Sequence, residues 1–550
     1  MIKLIECVPN FSEGVNLNII KQITDAVESV EGVRLLNVDP GKATNRTVVT
    51  FVGEPDAVIE AAFLAIKKAG ELIDMSKHKG EHPRMGATDV CPLIPIANIT
   101  MEETAAYAQK LAKRVGEELG IPAYLYEYAQ VDKKRSNLSV IRAGEYEGFF
   151  KKIKLPEWKP DFGPDEFDAK RGGTVIGARD FLIAYNVNLN TTSTRRANAI
   201  AFDVREAGRT VSDAQGNKVN QPGSLKSVKA IGWYIEEYGM AQISMNLTNI
   251  EVTPLHIAFD EVCKKAAERG MRVTGSELVG LIPLKSMLDA GKYFLRKQQR
   301  SVGVSEKELI RIAILSMGLD ELAPFKPEER IIEYLLKDKS TSKLVGMTLD
   351  GFADETASES PAPGGGSISA YVGSLGASLA TMVANLSSHK KGRDDRWEEF
   401  GTWAEKGQFY KDELLKLVDL DTSAFNKIME AFGLPKSTEE EKAARDNAIQ
   451  DATKYAIEIP FKVMQLAHGS LEVIKAMAET GNPNSVTDAG VAALCARTAV
   501  LGAFMNVKIN ASGYEDKVYT ADVITKGNLL EQQAISLEKE IIELVNSKIL

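Results

Sequence analysis

The segment VRLLNVDPGKATNRTVVTFVG, residues 33–53, decides the fold of the first half of the chain, because it holds two strand patterns in succession. Large apolar and β-branched residues fill both patterns, and a Pro-Gly turn separates them. An amphipathic helix is predicted on each side, and a further strand pattern lies beyond each helix. These four flanking elements are strands at 2–8 and 90–96 and helices at about 16–30 and 54–75. The resulting order, β-α-β-β-α-β, is that of the split βαβ or ferredoxin-like unit.

A second copy of the same order follows in the next part of the chain. A helix at about 101–119 and a strand at 123–129 complete the first copy. The second copy has predicted strands at 181–189, 227–235, 241–247 and 271–280 and predicted helices at about 193–207 and 254–269. Each such sheet carries its helices on one face, so the other two faces must cover each other or meet a dimer partner. The sequence therefore predicts two ferredoxin-like α+β subdomains with a ligand cleft between them.

The pattern changes to all-helical after about residue 336. The polar string KDKSTSK, residues 337–343, is typical of a linker, and long stretches with apolar residues at helical spacing follow it. The fold class predicted from the sequence is thus multidomain, with two ferredoxin-like α+β subdomains followed by an all-α helical bundle. The predicted parts are residues 1–180 and 181–337 for the two subdomains, 338–345 for a linker and 346–550 for the bundle.

Composition places the chain among ordinary globular proteins. Of its 550 residues 44% are apolar and 26% are charged, and the formal net charge of −9 argues against broad nucleic-acid binding. The four cysteines are far apart in the sequence, which favours a reducing compartment over a disulfide framework. No signal-peptide pattern and no membrane-spanning stretch are predicted. We expect a cytoplasmic protein whose partners are metabolites and other subunits.

Two of the five histidines, His78 and His82, lie in the segment DMSKHKGEHPRMGATDV, residues 74–90. Their spacing is that of a zinc-binding helix, but Gly80 and Pro83 disfavour a helix at this point. A zinc site also needs at least three protein ligands, and the sequence provides no third one here. A surface histidine in a turn is one alternative. A loop imidazole flanked by cations is also suited to acid-base catalysis near an anionic substrate.

Several strings make the chain similar to known folate enzymes. The first half resembles glutamate formimidoyltransferase in ECVPNFSEG, NVDPGKATNRTVVTFVG, DMSKHKGEHPRMGATDVCP, IRAGEYEG, PDFGP and GSELVGLIPL, which occur in this order. The second half resembles formimidoyltetrahydrofolate cyclodeaminase in SESPAPGGGSISAYVGSLGASL, LVDLDTSAFNKIMEAFGLPKSTEEEK and AFMNVKIN. From Ile2 to past Asn510, the chain therefore resembles the bifunctional formimidoyltransferase-cyclodeaminase family.

This resemblance implies two activities. The first moves the formimidoyl group of N-formimidoyl-L-glutamate, a product of histidine degradation, onto nitrogen 5 of tetrahydrofolate. The second closes the ring to 5,10-methenyltetrahydrofolate and releases ammonia. It implies tetrahydrofolate as co-substrate, with or without a polyglutamate tail, no metal, and a homo-oligomer.

The resemblance also implies catalytic residues in the first half. The family's catalytic histidine matches His82 in GEHPRMG, and one imidazole can take a proton from the attacking amine and return it to the departing glutamate nitrogen. His78 is predicted to have a supporting role at most. Asp39, at a strand end, is predicted to orient or stabilise the imidazolium, and an Asx-type turn before Pro40 is the structural alternative.

A ten-residue segment, GPDEFDAKRG, matches the family's folate-binding segment. Its glycines and proline suit a loop that closes over a pteridine, whereas composition alone describes a linker between the two α/β units. The predicted folate-binding residues are Gly163, Pro164, Asp165, Glu166, Phe167, Asp168, Ala169, Lys170, Arg171 and Gly172.

The helical half has its own catalytic candidate. Asp421, which interrupts the apolar pattern of LVDLDTSAF, matches the family's catalytic aspartate, and a desolvated carboxyl with a raised pKa can exchange protons with nitrogen 10 and ammonia. Asp419 is predicted to be a solvated or capping acid. The string APGGGS, which lacks the lysine of a P-loop, predicts a glycine turn with Ser367 at a helix start. Asp488 and Asn506 fit either pocket residues or core hydrogen bonding.

Three functions stay open from the residues alone. The first is the bifunctional enzyme. The second is a folate-dependent formyltransferase with a methenyltetrahydrofolate cyclohydrolase domain, because amidine and amide donors differ only by NH versus O. The third is a non-catalytic folate-binding scaffold. The segment at 392–408 departs from the family pattern, and its two tryptophans fit either the bundle surface or a subunit contact.

Overall fold

The computed structural model describes residues 3–42, 44–80, 82–213, 215–336 and 343–549. These residues form two compact units. The first comprises the described residues up to 290 together with 313–336, and the second comprises 291–312 and the described residues from 343 onward. Most of the predicted linker lies outside the described residues.

The first sheet is a ferredoxin-like sheet with two additional strands. Its strands are β1 to β7: Leu4–Cys7, Asn10–Phe11, Val33–Gly41, Arg46–Gly53, Thr88–Ala97, Ala123–Glu127 and Thr174–Ala178. β1 and β2 each pair with both β4 and β5, so together they occupy one position in the sheet. The spatial order is β3, β4, β1 with β2, β5, β7 and β6, in which only the pairs of β7 with β5 and β6 are parallel. The predicted β-α-β-β-α-β order is confirmed; β7 was not predicted.

Helices cover one face of this sheet. They are α1 to α3: Leu17–Glu28, Pro55–Leu72 and Met101–Leu119. α4 and α5, Leu138–Ile141 and Glu145–Lys152, lie on the other face, where they pack against β6 and β7. Asn16 caps α1, and Thr100 and Glu103 form a capping box at the start of α3. Apolar residues of β1, β4 and β5 such as Ile5, Phe51 and Leu93 are buried against the long helices. The rest of this opposite face carries polar strand residues, and we call it the open face of the first sheet.

The second sheet repeats the arrangement with four antiparallel strands. They are β8, β11, β12 and β13: Ile183–Leu189, Val228–Ile235, Met240–Leu247 and Val273–Val279. The order β11, β12, β8, β13 is again ferredoxin-like. Helices α6 and α7, Thr194–Val204 and Leu255–Glu268, pack on one face, and a short hairpin, β9 and β10, Arg209–Ser212 and Lys218–Gln221, was not predicted. Four further helices, α8 to α11, follow at Leu284–Lys297, Glu306–Met317, Pro327–Arg330 and Ile332–Leu336.

The remainder of the described chain is helical, as predicted. Its helices are α12 to α17: Leu349–Thr356, Gly365–Ser388, Trp397–Phe432, Glu439–Thr480, Val486–Ser512 and Lys517–Ile549. Small residues such as Ala377, Ala492 and Ala499 are fully or almost fully buried in the core, which lets the helix axes approach closely. The unassigned segment 392–408 forms the 3-10 turn Asp394–Arg396 and the first three turns of α14.

Two of these helical stretches are long and apolar enough to cross a bilayer by length and composition. No such stretch was predicted from the sequence. The two stretches are Gly365–Ser388 and Pro483–Ser512, and their most apolar windows are 61% and 50% buried inside the structure. Core helices of a bundle pass the same test, because a helix that is apolar on most sides buries most of its surface against its neighbours. The burial therefore accounts for their composition.

Candidate active sites

His82 lies in the loop between α2 and β5, beside the first residue of β4, Arg46. Its Nδ1 is 2.8 Å from the carbonyl oxygen of Pro83 and 3.1 Å from Nη1 of Arg46. Nδ1 would have to donate to the Pro83 carbonyl oxygen but accept from the Arg46 guanidinium. Arg46 already donates to Asp89. We therefore assign the proton to Nδ1, which donates to the Pro83 carbonyl. This tautomer leaves a lone pair on Nε2, as a general base requires.

A β-bulge places Asp89 beside this histidine loop. Asn10 of β2 pairs with Val90, but the next residue, Phe11, pairs with Thr88, so Asp89 has no partner across the strands. A bulge of this kind redirects one side chain relative to a regular strand. Here it lets a fully buried carboxylate reach Arg46, the first residue of β4, which lies on the other side of β2.

The Asp89 carboxylate is held between two arginines. Its Oδ2 accepts hydrogen bonds from Nη1 of Arg46 at 2.5 Å and from Nη2 of Arg142 at 2.6 Å, while the backbone N–H of Met85 donates to Oδ1 at 3.0 Å. Burial acts to raise the pKa of Asp89, but the two guanidinium groups outweigh it and the pKa is lowered. The three side chains together carry one net positive charge next to His82.

This environment keeps His82 neutral. Burial, followed by the charges of Arg46 and Arg142, lowers the pKa of His82 to about 3. Burial also lowers the pKa of Arg46 to about 10, which still leaves it protonated at neutral pH. An uncharged imidazole with a free Nε2 can accept a proton from an attacking amine.

His78 differs from His82 because both of its ring nitrogens are hydrogen bonded. Its Nε2 lies 2.9 Å from the carbonyl oxygen of Asn45, and its Nδ1 accepts from Nε of Arg84 at 3.2 Å. Arg84 also donates to both carboxylate oxygens of Glu147, at 2.9 and 2.6 Å. The ring therefore links three segments of the chain, and this geometry is that of a supporting residue.

Asp39 lies near the end of β3, on the same face of the sheet as Arg46. It pairs with Val48 of β4, two residues from Arg46, so both side chains project from the open face. Its Oδ2 accepts from the backbone N–H of Gly280 at 2.9 Å and from Nη1 of Arg330 at 3.5 Å. These bonds tie Asp39 to the second subdomain, and its predicted action on His82 stays a prediction.

The predicted folate segment, residues 163–172, packs against the chain just after His82. Gly172 forms an isolated antiparallel bridge with Gly86, and the Ala87 N–H donates to the carbonyl oxygen of Arg171 at 2.8 Å. Gly163 and Gly172 both have positive φ, +86° and +67°, so glycine is required at the two ends of the loop. The structure thus brings the predicted folate segment and the histidine loop together.

The charged side chains of this segment mainly hold the loop itself. Arg171 donates to Asp168 and to the carbonyl oxygen of Leu119, and Lys170 donates to the carbonyl oxygen of Glu71. Phe167 packs among three aromatic rings, Tyr146, Phe149 and Phe150. Asp165 and Glu166, together with Pro164, are exposed in the middle of the loop, whereas Ala169 contributes its carbonyl to Tyr146. A folate would therefore meet a loop of fixed shape, and its individual contacts stay predictions.

In the helical unit, Asp421 of α14 faces the first turn of α13. Its Oδ2 accepts from Oγ of the fully buried Ser367 at 3.0 Å, and the same hydroxyl lies 3.3 Å from Oγ1 of Thr422. Gly366 is the residue that permits this approach, because a Cβ at that position would overlap the Asp421 carboxylate. Burial raises the pKa of Asp421, although the Ser367 hydroxyl and N–H oppose the change. A raised pKa was predicted, and this direction is confirmed.

Asp419, two residues earlier, has a different, structural role. Its carboxylate accepts from the backbone N–H groups of Leu344 at 2.8 Å and Val345 at 3.4 Å. It thus caps the chain that enters the helical unit, in agreement with the predicted capping acid. Asn506 lies beside the start of α13, where a side chain at Gly365 would meet its amide.

Sequence reasoning missed the groups that set the chemistry of the two candidates. Arg46, Asp89 and Arg142 each stand inside a motif that was quoted for the family resemblance, and a charged residue next to an apolar strand was the available signal. Nothing in the sequence indicated that Gly366 makes room for the Asp421 carboxylate, apart from its position in a run of glycines. Among the described residues, no group of three His, Cys, Asp or Glu side chains is arranged to hold a metal ion.

Three family models match the chain: the N-terminal subdomain of the formiminotransferase domain at residues 4–179, the formiminotransferase domain at 184–337 and formiminotransferase-cyclodeaminase at 348–528. The fold and the two candidate sites thus belong to folate-linked one-carbon enzymes with a transferase half and a cyclodeaminase half.

Individual relatives agree with the models. A formimidoyltransferase-cyclodeaminase from Gallus gallus is 45% identical over 536 residues, which are 97% of each chain. A glutamate formimidoyltransferase from Thermoplasma acidophilum is 44% identical over 54% of this chain and 93% of its own. A methenyltetrahydrofolate cyclohydrolase from Methylorubrum extorquens is 36% identical over 37% of this chain and 97% of its own. The chain belongs to the formimidoyltransferase-cyclodeaminase family.

Proposed function

We propose that this chain catalyses two consecutive reactions of one-carbon metabolism. The first transfers the formimidoyl group of N-formimidoyl-L-glutamate to nitrogen 5 of tetrahydrofolate, and the second converts 5-formimidoyltetrahydrofolate to 5,10-methenyltetrahydrofolate with release of ammonia. The observation that carries this proposal is the pair of half-buried groups, His82 and Asp421, held with shifted pKa values in two separate units of a family member.

In the transferase half, His82 acts as the base and then as the acid. Nitrogen 5 attacks the amidine carbon, and Nε2 of His82 takes the proton that this nitrogen loses. The same proton then goes to the glutamate nitrogen, which leaves as a neutral amine. The Nδ1–H bond to the Pro83 carbonyl fixes the ring, and Arg46 with Arg142 keeps it neutral before attack. Asp39 is proposed to stabilise the imidazolium that forms in between.

Tetrahydrofolate is proposed to bind along residues 163–172. The support is the bridge between Gly172 and Gly86, which places this loop within four residues of His82 in sequence and against the same backbone. A polyglutamate tail requires cations, and Lys159, which pairs with Asp165 at the exposed middle of the loop, is a candidate contact.

In the cyclodeaminase half, Asp421 is the proton-transferring group. Nitrogen 10 attacks the formimidoyl carbon and loses its proton, and the departing nitrogen gains one to leave as ammonia. A carboxyl whose pKa is raised by burial can accept the first proton and supply the second. The Ser367 hydroxyl keeps one carboxylate oxygen oriented during this exchange.

The experiment supplies the full chain with tetrahydrofolate and N-formimidoyl-L-glutamate and records methenyltetrahydrofolate absorbance together with ammonia. We expect both to appear in equal amounts. Absence of both signals from a folded protein would overturn the proposed function and favour a non-catalytic folate-binding scaffold.

A second candidate for the helical half is a methenyltetrahydrofolate cyclohydrolase, because the relative from Methylorubrum extorquens has that name. The corresponding transferase half would use a formyl donor. Ammonia separates the two candidates, since a cyclohydrolase forms 5-formyl- or 10-formyltetrahydrofolate from the methenyl compound without releasing ammonia. Turnover of the methenyl compound alone, with no ammonia from the formimidoyl compound, would support the second candidate.

Several further properties belong to the same proposal. We propose a cytoplasmic homo-oligomer that uses no metal and binds neither nucleic acid nor membrane. The net charge of −9 and the burial of the two most apolar helices support the last two points. Both activities are expected to survive treatment with a chelator, and a chelator-sensitive transferase would restore the zinc hypothesis for the histidine loop.

A further inference from the structure

The open faces of the two sheets meet at two places. At one, Oδ2 of Asp39 accepts the backbone N–H of Gly280, which directly follows β13. At the other, Nζ of Lys229 on β11 donates to Oδ1 of Asn137. Burial lowers the pKa of Lys229, and the charges of Glu127, which raises this pKa, and of Arg142, which lowers it, both act on the lysine. The open face of the second sheet, which is the face away from α6 and α7, therefore lies near both Asp39 and Arg142.

A polar network covers this face of the second sheet. Its centre is Glu277 of β13, whose Oε2 accepts from Nδ2 of Asn186 at 3.1 Å and from Nε2 of Gln242 at 3.3 Å. The Tyr238 hydroxyl donates to Oε1 at 3.2 Å, and Nε1 of Trp233 donates to Gln242 at 3.0 Å. Side chains on one face of neighbouring strands are thus linked into a single layer of hydrogen bonds.

All donors to Glu277 are uncharged. Tyrosine and amide groups orient the carboxylate but do not neutralise it, and among the ion pairs of the described residues none includes Glu277. Asp39 has one basic neighbour, Arg330, at 3.5 Å. Half-buried carboxylates without a full complement of cations favour a bound cation over a neutral group.

Glu277 is joined to Asp39 through a short extended stretch of chain. Gly280, which donates to Asp39, is three residues beyond Glu277, a distance of about 10 Å along an extended chain. The Tyr238 hydroxyl, which donates to Glu277, is also within the electrostatic influence of Asp39. Burial, followed by the carboxylate of Glu277 and including that of Asp39, raises the pKa of Tyr238 to about 12, which keeps its hydroxyl protonated as a donor. Both carboxylates therefore act on one small region of the cleft.

We infer that Glu277, together with Asp39, recognises the protonated amidine of the formimidoyl donor. This inference rests on the proposed transferase function and names the residue that would separate formimidoyl from formyl donors. An amidine is a strong base that is protonated at neutral pH, and its N–H groups donate to carboxylates as a guanidinium does. A formyl amide is neutral, keeps only its amide N–H as a donor and offers a carbonyl oxygen where the amidine offers N–H. It therefore gives the two carboxylates fewer and weaker hydrogen bonds.

The test is the full chain with Glu277→Gln, assayed with N-formimidoyl-L-glutamate as donor and with N-formyl-L-glutamate as competitive inhibitor. We expect kcat/KM for the formimidoyl donor to fall by about 10- to 100-fold, mainly through KM, because a charge-assisted bond to the bound donor is lost. The inhibition constant of the formyl compound should stay the same or decrease. An equal weakening of both compounds, or no change for either, would overturn the inference.

Controls separate this role from a structural one. Glu321→Gln makes the same chemical change at an exposed glutamate that accepts from Asn188 in the same layer, and it should leave the preference for the formimidoyl donor as in the parent protein. If Glu277→Gln does not fold, as judged by circular dichroism, Glu277→Asp takes its place. That variant keeps the charge and should raise KM for the formimidoyl donor without weakening the formyl compound, and unchanged KM would count against the inference.

Failure of the proposed function gives a different result. A parent protein that forms no product from the formimidoyl donor invalidates the transferase proposal before any variant is compared. A parent protein that turns over this donor, with variants that do not change donor preference, leaves the transferase proposal intact and removes only the role of Glu277.

Discussion

The His82 and Asp421 sites use the same physical effect on opposite kinds of group. Burial is the largest cause of both pKa shifts, and in each case it favours the uncharged form, neutral imidazole in one and protonated carboxyl in the other. The surroundings differ. Charged residues, Arg46 and Arg142, reinforce burial at His82, whereas neutral hydrogen-bond donors from Ser367 oppose it at Asp421.

This difference indicates how each site is controlled. When fixed charges shift the pKa of a group, removal of those charges changes the pKa even if the packing around the group is preserved. When burial shifts the pKa of a group and neutral hydrogen-bond donors oppose the shift, small changes in packing change the pKa. The transferase site should therefore respond to charge substitutions and the cyclodeaminase site to changes in volume.

The largest effect is expected for His82→Ala. Formimidoyl transfer should fall by about 100-fold or more, the usual scale for loss of a general acid-base catalyst. Cyclisation of supplied 5-formimidoyltetrahydrofolate should stay near the parent rate, because Asp421 belongs to a different unit. The two rates are measured separately with the two substrates. His78→Ala is the comparison, and a more severe loss with it than with His82→Ala would reverse the assignment.

A loss of similar size is expected for Asp421→Asn in the second reaction. The amide keeps the shape of the carboxyl but does not exchange a proton, so ammonia release should fall by about 100-fold or more while transfer continues. The 5-formimidoyl intermediate should accumulate and is detectable by chromatography. Asp419→Asn should have the smaller effect because Asp419 bonds to Leu344 and Val345. Near-normal ammonia release by a folded Asp421→Asn protein would assign the chemistry to another group.

A single methyl group tests the sensitivity of the cyclodeaminase site to packing. Gly366→Ala places a Cβ onto the Asp421 carboxylate, whereas Gly364→Ala meets nothing within 4 Å. We expect cyclisation to fall by about 10-fold or more in the first variant, since overpacking displaces side chains, and to be nearly unchanged in the second. Ammonia release is the measurement. Equal rates in the two variants would show that the position of Asp421 is not limiting.

The smallest effect is a change in pH dependence. Arg46→Met removes one of the charges that lower the pKa of His82, so this pKa should rise from about 3 toward the ordinary value of 6.5. His82 then loses its base form at a higher pH, and the acid limb of kcat/KM for transfer should move upward. Arg46→Lys keeps the charge and should move the limb less. A limb in the same place for both variants would mean that Arg46 does not set this pKa.

The fold was largely predictable from the sequence, because hydrophobic periodicity determines element type. The strands and helices of both ferredoxin-like units and the long helices of the second unit follow from that pattern alone. β7, only five residues long at Thr174–Ala178, was missed because it follows a loop rich in charge and glycine. The hairpin at 209–221 was missed because its strands are short and polar.

The candidate sites were less predictable than the fold. His82 and Asp421 came from a family resemblance, and burial was anticipated only for Asp421. The bulge at Asp89 depends on how β2 pairs with β5, and no local pattern records such a pairing. The Arg46–Asp89–Arg142 contacts join residues more than 40 positions apart, so only the folded sheet brings them together.

The capping role of Asp419 has a consequence for gene fusion and fission. Relatives exist in which the transferase region or the helical region occurs as a protein of its own, as the matches from Thermoplasma acidophilum and Methylorubrum extorquens illustrate. A cut placed after Val345 would remove both N–H groups that satisfy Asp419, two residues from Asp421 on the same helix. A separately encoded helical half of this chain therefore has to begin before Leu344 to keep both hydrogen bonds to Asp419.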